Sequence, residues 1–125
     1  MKTILVVDDE ESLRKVIASK LTQRGYRVLQ AENGLQGLET AREHLPDLII
    51  SDVYMENMNG FIMVEMLRED PPTATIPVIM MTGAAQGAGA WQAHADIEYL
   101  EKGFAMDVLL KTIENLLKRM DARTS

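Results

Sequence analysis

Five short strand-like runs, each broken off by polar residues and most followed by a segment of helical period, constrain this chain more than any other feature. Residues 4–7 are wholly aliphatic and stop at Asp8-Asp9-Glu10-Glu11. Leu13, Val16, Ile17 and Leu21 then recur at helical spacing until Gly25 ends the pattern. Residues 26–31 read as a second strand, and Asn33-Gly34 turns the chain into a helix with Leu35, Leu38 and Leu45 on one face, closed by Pro46. A third strand, residues 48–50, leads into Ser51-Asp52. Asn59-Gly60 then opens a Met- and Leu-rich helix that runs to about Glu69 and is closed by Pro71-Pro72. A fourth strand, residues 77–81, ends at Thr82. Residues 83–95 are a weak helix candidate, because Gly83, Gly87 and Gly89 each cost roughly 1 kcal/mol relative to Ala. Residues 98–101 form a fifth short strand running into Lys102. The last helix carries Val108, Leu109, Ile113, Leu116, Leu117 and Met120 on one stripe.

Five strand–helix units predict an α/β fold, a doubly wound five-stranded parallel sheet with helices on both faces and right-handed crossovers. Continuous apolar runs at 4–7, 48–50 and 78–81 suit strands buried on both faces. The 125 residues make one domain, and a hydrophobic content of 46% can fill its core. In such sheets ligands gather beyond the carboxyl ends of the strands. Asp8 and Asp9, Asp52, Thr82 and Lys102 are stationed there, so four strand ends supply three carboxylates, a hydroxyl and an ammonium. Singly, each has an ordinary reading: Asp9 or Glu10 as a helix N-cap or first-turn charge, Thr82 as a strand-end residue, Lys102 as a solvated cation. Together they form one chemically coherent set.

Composition removes several function classes. Without Cys there are no disulfides, thiol nucleophiles, Fe–S clusters or thiolate zinc sites, which fits a reducing, cytoplasmic setting. A net charge of −6 argues against direct binding to nucleic acid or an anionic membrane. No uninterrupted apolar run exceeds four residues, which predicts no membrane span, and the run at 4–7 is too short for a signal peptide. Two carboxylates about 4 Å apart repel by roughly 4 kcal/mol at an effective dielectric of about 20, and Lys102 alone does not offset three of them. An all-oxygen set suits Mg²⁺, which keeps waters and is typically shared with a substrate phosphate.

The segments Ile4-Leu5-Val6-Val7-Asp8-Asp9-Glu10, Asp47-Leu48-Ile49-Ile50-Ser51-Asp52, Val78-Ile79-Met80-Met81-Thr82-Gly83 and Tyr99-Leu100-Glu101-Lys102 resemble a bacterial response-regulator receiver domain. The resemblance covers essentially the whole chain. It implies a flavodoxin-like sheet of strand order 2-1-3-4-5, with residues 1–121 as the receiver and 122–125 as a tail or the start of a linker. It implies Asp52 as the phosphoacceptor. Mg²⁺ would be held by Asp8, Asp9, Asp52 and the backbone carbonyl of Tyr54, while Thr82 and Lys102 would bind phosphoryl oxygens. The implied donor is a phosphohistidine on a sensor histidine kinase or phosphotransfer protein, and the implied readers are a downstream protein target or output domain. Such a chain is a switch with only self-phosphorylation and slow self-dephosphorylation chemistry, not an enzyme. In the implied switch Thr82 moves toward the phosphoryl group and Tyr99 turns inward, reshaping the face formed by residues 83–95, the fifth strand and the last helix.

The pattern departs from the family at three places. Glu56 stands where a Pro usually follows Met55, and Gly103 where a Pro usually follows Lys102 through a cis bond. A cis bond before a non-Pro residue costs about 3–4 kcal/mol, so Lys102-Gly103 is expected to be trans or flexible and Lys102 less firmly aimed. The stretch between Thr82 and Lys102 looks slightly short, and residues 83–90 hold only Gly, Ala and one Gln. This predicts a frayed helix, with Trp91 as a partner anchor or a core residue. The rival reading is a pseudo-receiver, a protein-interaction module not regulated by phosphorylation. A flavin-phosphate binder is disfavoured by the acids after the first strand. His44 and His94 read as surface residues, and Gly87-x-Gly89 lacks the third glycine of a dinucleotide fingerprint.

Overall fold

The computed structural model describes residues 1–55, 57–83 and 97–124. In chain order the elements are β1 (Thr3–Val7), α1 (Glu11–Gln23), β2 (Arg27–Ala31), α2 (Gly34–His44), β3 (Leu48–Asp52), α3 (Gly60–Glu69), β4 (Val78–Thr82), β5 (Ile97–Glu101) and α4 (Met106–Thr124). The strands form one sheet in the order β2-β1-β3-β4-β5, and every neighbouring pair is parallel. This is the doubly wound order expected. Residues 122–124 continue α4. The weak helix expected at 83–95, with Trp91 and His94, lies beyond Gly83 outside the described residues.

Period-two alternation divides the core between the two faces of the sheet. Ile4, Val6, Leu48, Ile50, Ile79 and Met81 point to the layer closed by Ile17 and Leu21 of α1 and by Leu109, Ile113 and Leu116 of α4. Leu5, Val7, Ile49, Val78 and Met80 point to the other, closed by Leu38 and Ala41 of α2 and by Met63, Val64 and Leu67 of α3. Because both layers are covered, β1, β3 and β4 are apolar almost throughout.

Helix ends follow local chemistry. Asn33 and Asn59 cap α2 and α3, their side chains accepting from Gln36 N–H and Ile62 N–H. At the end of α1, Tyr26 N–H reaches Leu21 O and Gly25 N–H reaches Thr22 O, with Gly25 at φ +90, the left-handed stop that glycine accepts readily.

Four apolar residues assigned to helix stripes are exposed instead: Val16, Leu35, Leu45 and Val108. On α1 the buried face is Arg14, Ile17, Ala18 and Leu21. On α2 it is Gly34, Gly37, Leu38 and Ala41, because the helix lies too close for larger groups. A Cβ on Gly34 would strike the Met58 carbonyl, and one on Gly37 would sit 2.9 Å from Val7 Cγ2. On α4, Leu110 joins the buried stripe and Val108 falls outside it.

Candidate functional site

Asp52 is the last residue of β3, and Asp8 and Asp9 follow β1 directly. Each therefore emerges at the same sheet edge, where one carboxylate oxygen from each lies within 4.8 Å of the other two. Asp8 and Asp52 are buried, whereas Asp9 is exposed. Thr82 ends β4 and is also buried. Lys102 follows β5; its N–H donates to Thr82 O at 2.6 Å, and its Nζ lies 3.1 Å from Asp52 Oδ2. The five polar residues singled out at the strand ends thus converge.

Asp8 is fixed on several sides. Its N–H donates to Ala31 O at 3.1 Å, and its Oδ1 accepts from Glu10 N–H at 2.9 Å. Its Oδ2 is buried with no hydrogen-bond partner among the described residues. Such an atom is costly unless something else satisfies it. The ordinary reading of Glu10 as a side-chain cap is not met, since it occupies the N-cap of α1 without a side-chain cap hydrogen bond.

The electrostatics follow from this crowding. Burial is the main cause that pushes the Asp8 carboxyl up to about 6, with the charges of Asp52 and Asp9 adding, while the Glu10 N–H and Lys102 oppose. Burial likewise raises Asp52, against the Lys102 hydrogen bond and charge. For Lys102, burial acts downward but is outweighed by the hydrogen bond and charge of Asp52 and by Asp8 and Glu10, so its pKa is raised. Three clustered carboxylates with an unsatisfied buried oxygen form a hard, all-oxygen donor set, and the residues present fit a small divalent cation.

With Gly103 in place of Pro, Lys102 Nζ reaches Asp52 Oδ2 at 3.1 Å. Gly103 takes φ +97, a conformation closed to proline, and no peptide bond is cis among the described residues. Tyr54 lies two residues past Asp52 and is 61% exposed. Tyr99 of β5 is partly buried against the layer that holds Met80, its register partner. Glu56 lies outside the described residues, and His44 is exposed as expected.

Sequence reasoning missed two contributors. Gly60, the first residue of α3, lets that helix approach the site: a Cβ there would strike the Asp52 carbonyl and come within 2.9 Å of Met80 Cε. The Asn-Gly pair had signalled only a helix start. Arg14 is buried on α1, and its Nη1 donates to Asp8 O at 2.9 Å. The available signal was a charge at the helical spacing of Ile17, Ala18 and Leu21. Beside the carboxylates, Asp9, Glu11, Arg14, Glu32, Asn33 and Asn57 line a polar cleft of about 280 Å³.

The chain is similar to known proteins in sequence and in fold. The chain is 35% identical over 124 residues to the DNA-binding dual master transcriptional regulator RpaA of Synechocystis, covering 97% of this chain but 51% of RpaA. It is 36% identical over 119 residues to protein PilH of Pseudomonas aeruginosa, covering 94% of this chain and 98% of PilH. The chain thus spans about half the length of one relative and nearly all of the other. The solved chemotaxis response regulator CheY4 of Vibrio cholerae superposes with a TM-score of 0.85 at 32% identity, covering 93% of this chain and 98% of CheY4. Because residues 4–114 match the model of the response regulator receiver domain and the strand-end carboxylates, threonine and lysine meet at one edge, the chain belongs to that family of two-component signalling receivers.

Proposed function

We propose that this receiver accepts a phosphoryl group on Asp52 from a phosphohistidine of a sensor histidine kinase or phosphotransfer protein. Mg²⁺ would be held by Asp8, Asp9, Asp52 and the backbone carbonyl of Tyr54. The observation that carries the reading is Lys102 Nζ at 3.1 Å from Asp52 Oδ2, beside the unsatisfied buried oxygen of Asp8. An Asp52 carboxylate oxygen forms the new bond to phosphorus as the phosphorus–nitrogen bond of the donor breaks, and the imidazole nitrogen keeps the electron pair. Such a transfer needs positioning and charge neutralisation more than proton transfer. Lys102 offsets negative charge on the transferred group, and the Thr82 hydroxyl donates to one of its oxygens. When bound, Mg²⁺ supplies Lewis-acid neutralisation of the phosphoryl oxygens.

The chain acts as a switch rather than a turnover enzyme, in a cytoplasmic setting. Thr82 moves toward the phosphoryl group and Tyr99 turns further inward, changing the surface that a downstream target or output domain reads. A full reversal from 1:99 to 99:1 requires phosphorylation to favour the active state by about 5.5 kcal/mol. No helix among the described residues is long and apolar enough to cross a membrane.

Intact mass after incubation with acetyl phosphate, with and without Mg²⁺ and beside Asp52→Asn, tests the reading. One added phosphoryl group, dependent on the metal and on Asp52, is expected. No gain, together with no fluorescence response to a beryllofluoride mimic, would refute it and leave the pseudo-receiver reading.

A further inference from the structure

Arg14 is the one buried Lys or Arg among the described residues. It projects from the apolar face of α1, yet its guanidinium nitrogens form no ion pair within 4 Å among the described residues. Its guanidinium is spent on two neutral acceptors instead. Nη1 donates to the backbone carbonyl of Asp8 at 2.9 Å, and Nε donates to Gln30 Oε1 at 3.1 Å. That carbonyl belongs to the peptide joining Asp8 to Asp9, so whatever fixes it orients both carboxylates. With the Asp8 N–H on Ala31 O and Asp8 Oδ1 on Glu10 N–H, Arg14 leaves only Oδ2 uncommitted.

We propose that Arg14 is a positioning residue for the divalent cation: its fork ties the Asp8–Asp9 peptide to Gln30 of β2 and holds two carboxylates preset for the metal. This rests on the reading of Asp8, Asp9 and Asp52 as Mg²⁺ ligands. Buried arginine suits the task because its planar donors span two acceptors at fixed angles, which a lysine ammonium does not reproduce. Outer groups that orient metal ligands commonly change affinity by tenfold or more when lost.

Charge and positioning predict opposite signs. As a nearby cation Arg14 repels Mg²⁺, so a neutral replacement would tighten binding. As a positioning group its loss weakens binding whether or not the charge is kept. Mg²⁺ titration calorimetry on the whole chain at fixed pH and ionic strength separates the two, with folding checked by circular dichroism. Arg14→Lys and Arg14→Gln are both expected to weaken Mg²⁺ by about tenfold. A role confined to packing would lower the melting temperature and leave the affinity of the folded protein unmoved.

Gln30→Ala removes one acceptor at an exposed position and is expected to weaken binding about threefold. Wild-type affinity in Arg14→Lys, or tighter binding in Arg14→Gln, overturns the proposal. Should the Arg14 variants fail to fold, unchanged affinity in Gln30→Ala overturns it. A wild-type protein that binds no Mg²⁺ removes the metal reading as well, whereas wild-type binding with unaltered variants removes this inference alone.

Discussion

Replacing Asp8 by Asn should stabilise the metal-free protein, and the gain should depend on pH. Burial lifts the Asp8 carboxyl from an ordinary 3.8 to about 6, so the folded chain holds this proton more tightly than the unfolded one. Between those values the native state binds more protons than the unfolded state, and stability falls as pH rises. The penalty is absent below about pH 4, grows to about pH 6 and is complete above it. At about 1.4 kcal/mol per tenfold change in proton affinity, the ceiling is ~3 kcal/mol. The neighbouring Asp9 is exposed, and an effective dielectric well above that of a dry interior reduces this to ~1–2 kcal/mol. In a domain of this size that corresponds to a rise of roughly 4–8 °C in melting temperature. The Asn oxygen can still accept from Glu10 N–H, so the loop at the start of α1 keeps its anchor. The assay is thermal or urea unfolding of both proteins in a chelator from pH 4 to 7.5. A gain that did not shrink toward pH 4 would refute the argument. So would a variant less stable at pH 7.5, since the carboxylate would then be a structural acceptor rather than a crowded charge.

Gly60→Ala should destabilise by about 1–3 kcal/mol in urea unfolding, because its Cβ meets the Asp52 carbonyl and Met80. Gly103→Pro, which installs the residue usual in the family, should lower the melting temperature and break the Lys102–Asp52 contact, since φ +97 is closed to proline; an equal or higher melting temperature would count against this. Asn59→Ala should cost about 1 kcal/mol of stability through loss of the α3 cap. The exposed Lys2–Asp121 pair, despite its 2.7 Å separation, should show a coupling below about 1 kcal/mol in a double-mutant cycle.

Elements whose evidence is periodic were legible in the sequence, and details set by neighbours were not. Strands buried on both faces announce themselves as aliphatic runs, so β1, β3 and β4 were found to within one or two residues. Strand order came from resemblance, since local spacing cannot tell which strands adjoin. Asp8, Asp9, Asp52, Thr82 and Lys102 were identifiable because a parallel sheet delivers every strand end to one edge. Leu35 and Leu45 were misplaced for a reason no stripe of apolar residues reveals. Gly37 lets the helix that carries Leu35 close onto Val7 of the sheet, and small residues do not register in a hydrophobic pattern; Leu45 lies past the helix end as its left-handed C-cap, at φ 47. Arg14 was passed over because a charge on a helix is ordinarily solvated, and only the carbonyl it meets explains its burial.

The strand register has a consequence for how such a module can be altered. Val7 pairs with Ser51, Asp52 with Met81 and Thr82 with Glu101, so three rungs of hydrogen-bonded ladder measure out the span from Asp8 to Lys102. Deleting one residue within β3 or β4 would displace a reacting group by about 3.3 Å and turn its neighbours into the opposite layer. A length change in the turn between α3 and β4, at the far edge of the sheet, leaves all three rungs intact. The sheet is a ruler with one graduated edge. The loops and outer helix faces can be rewritten to address different listeners without recalibrating the chemistry.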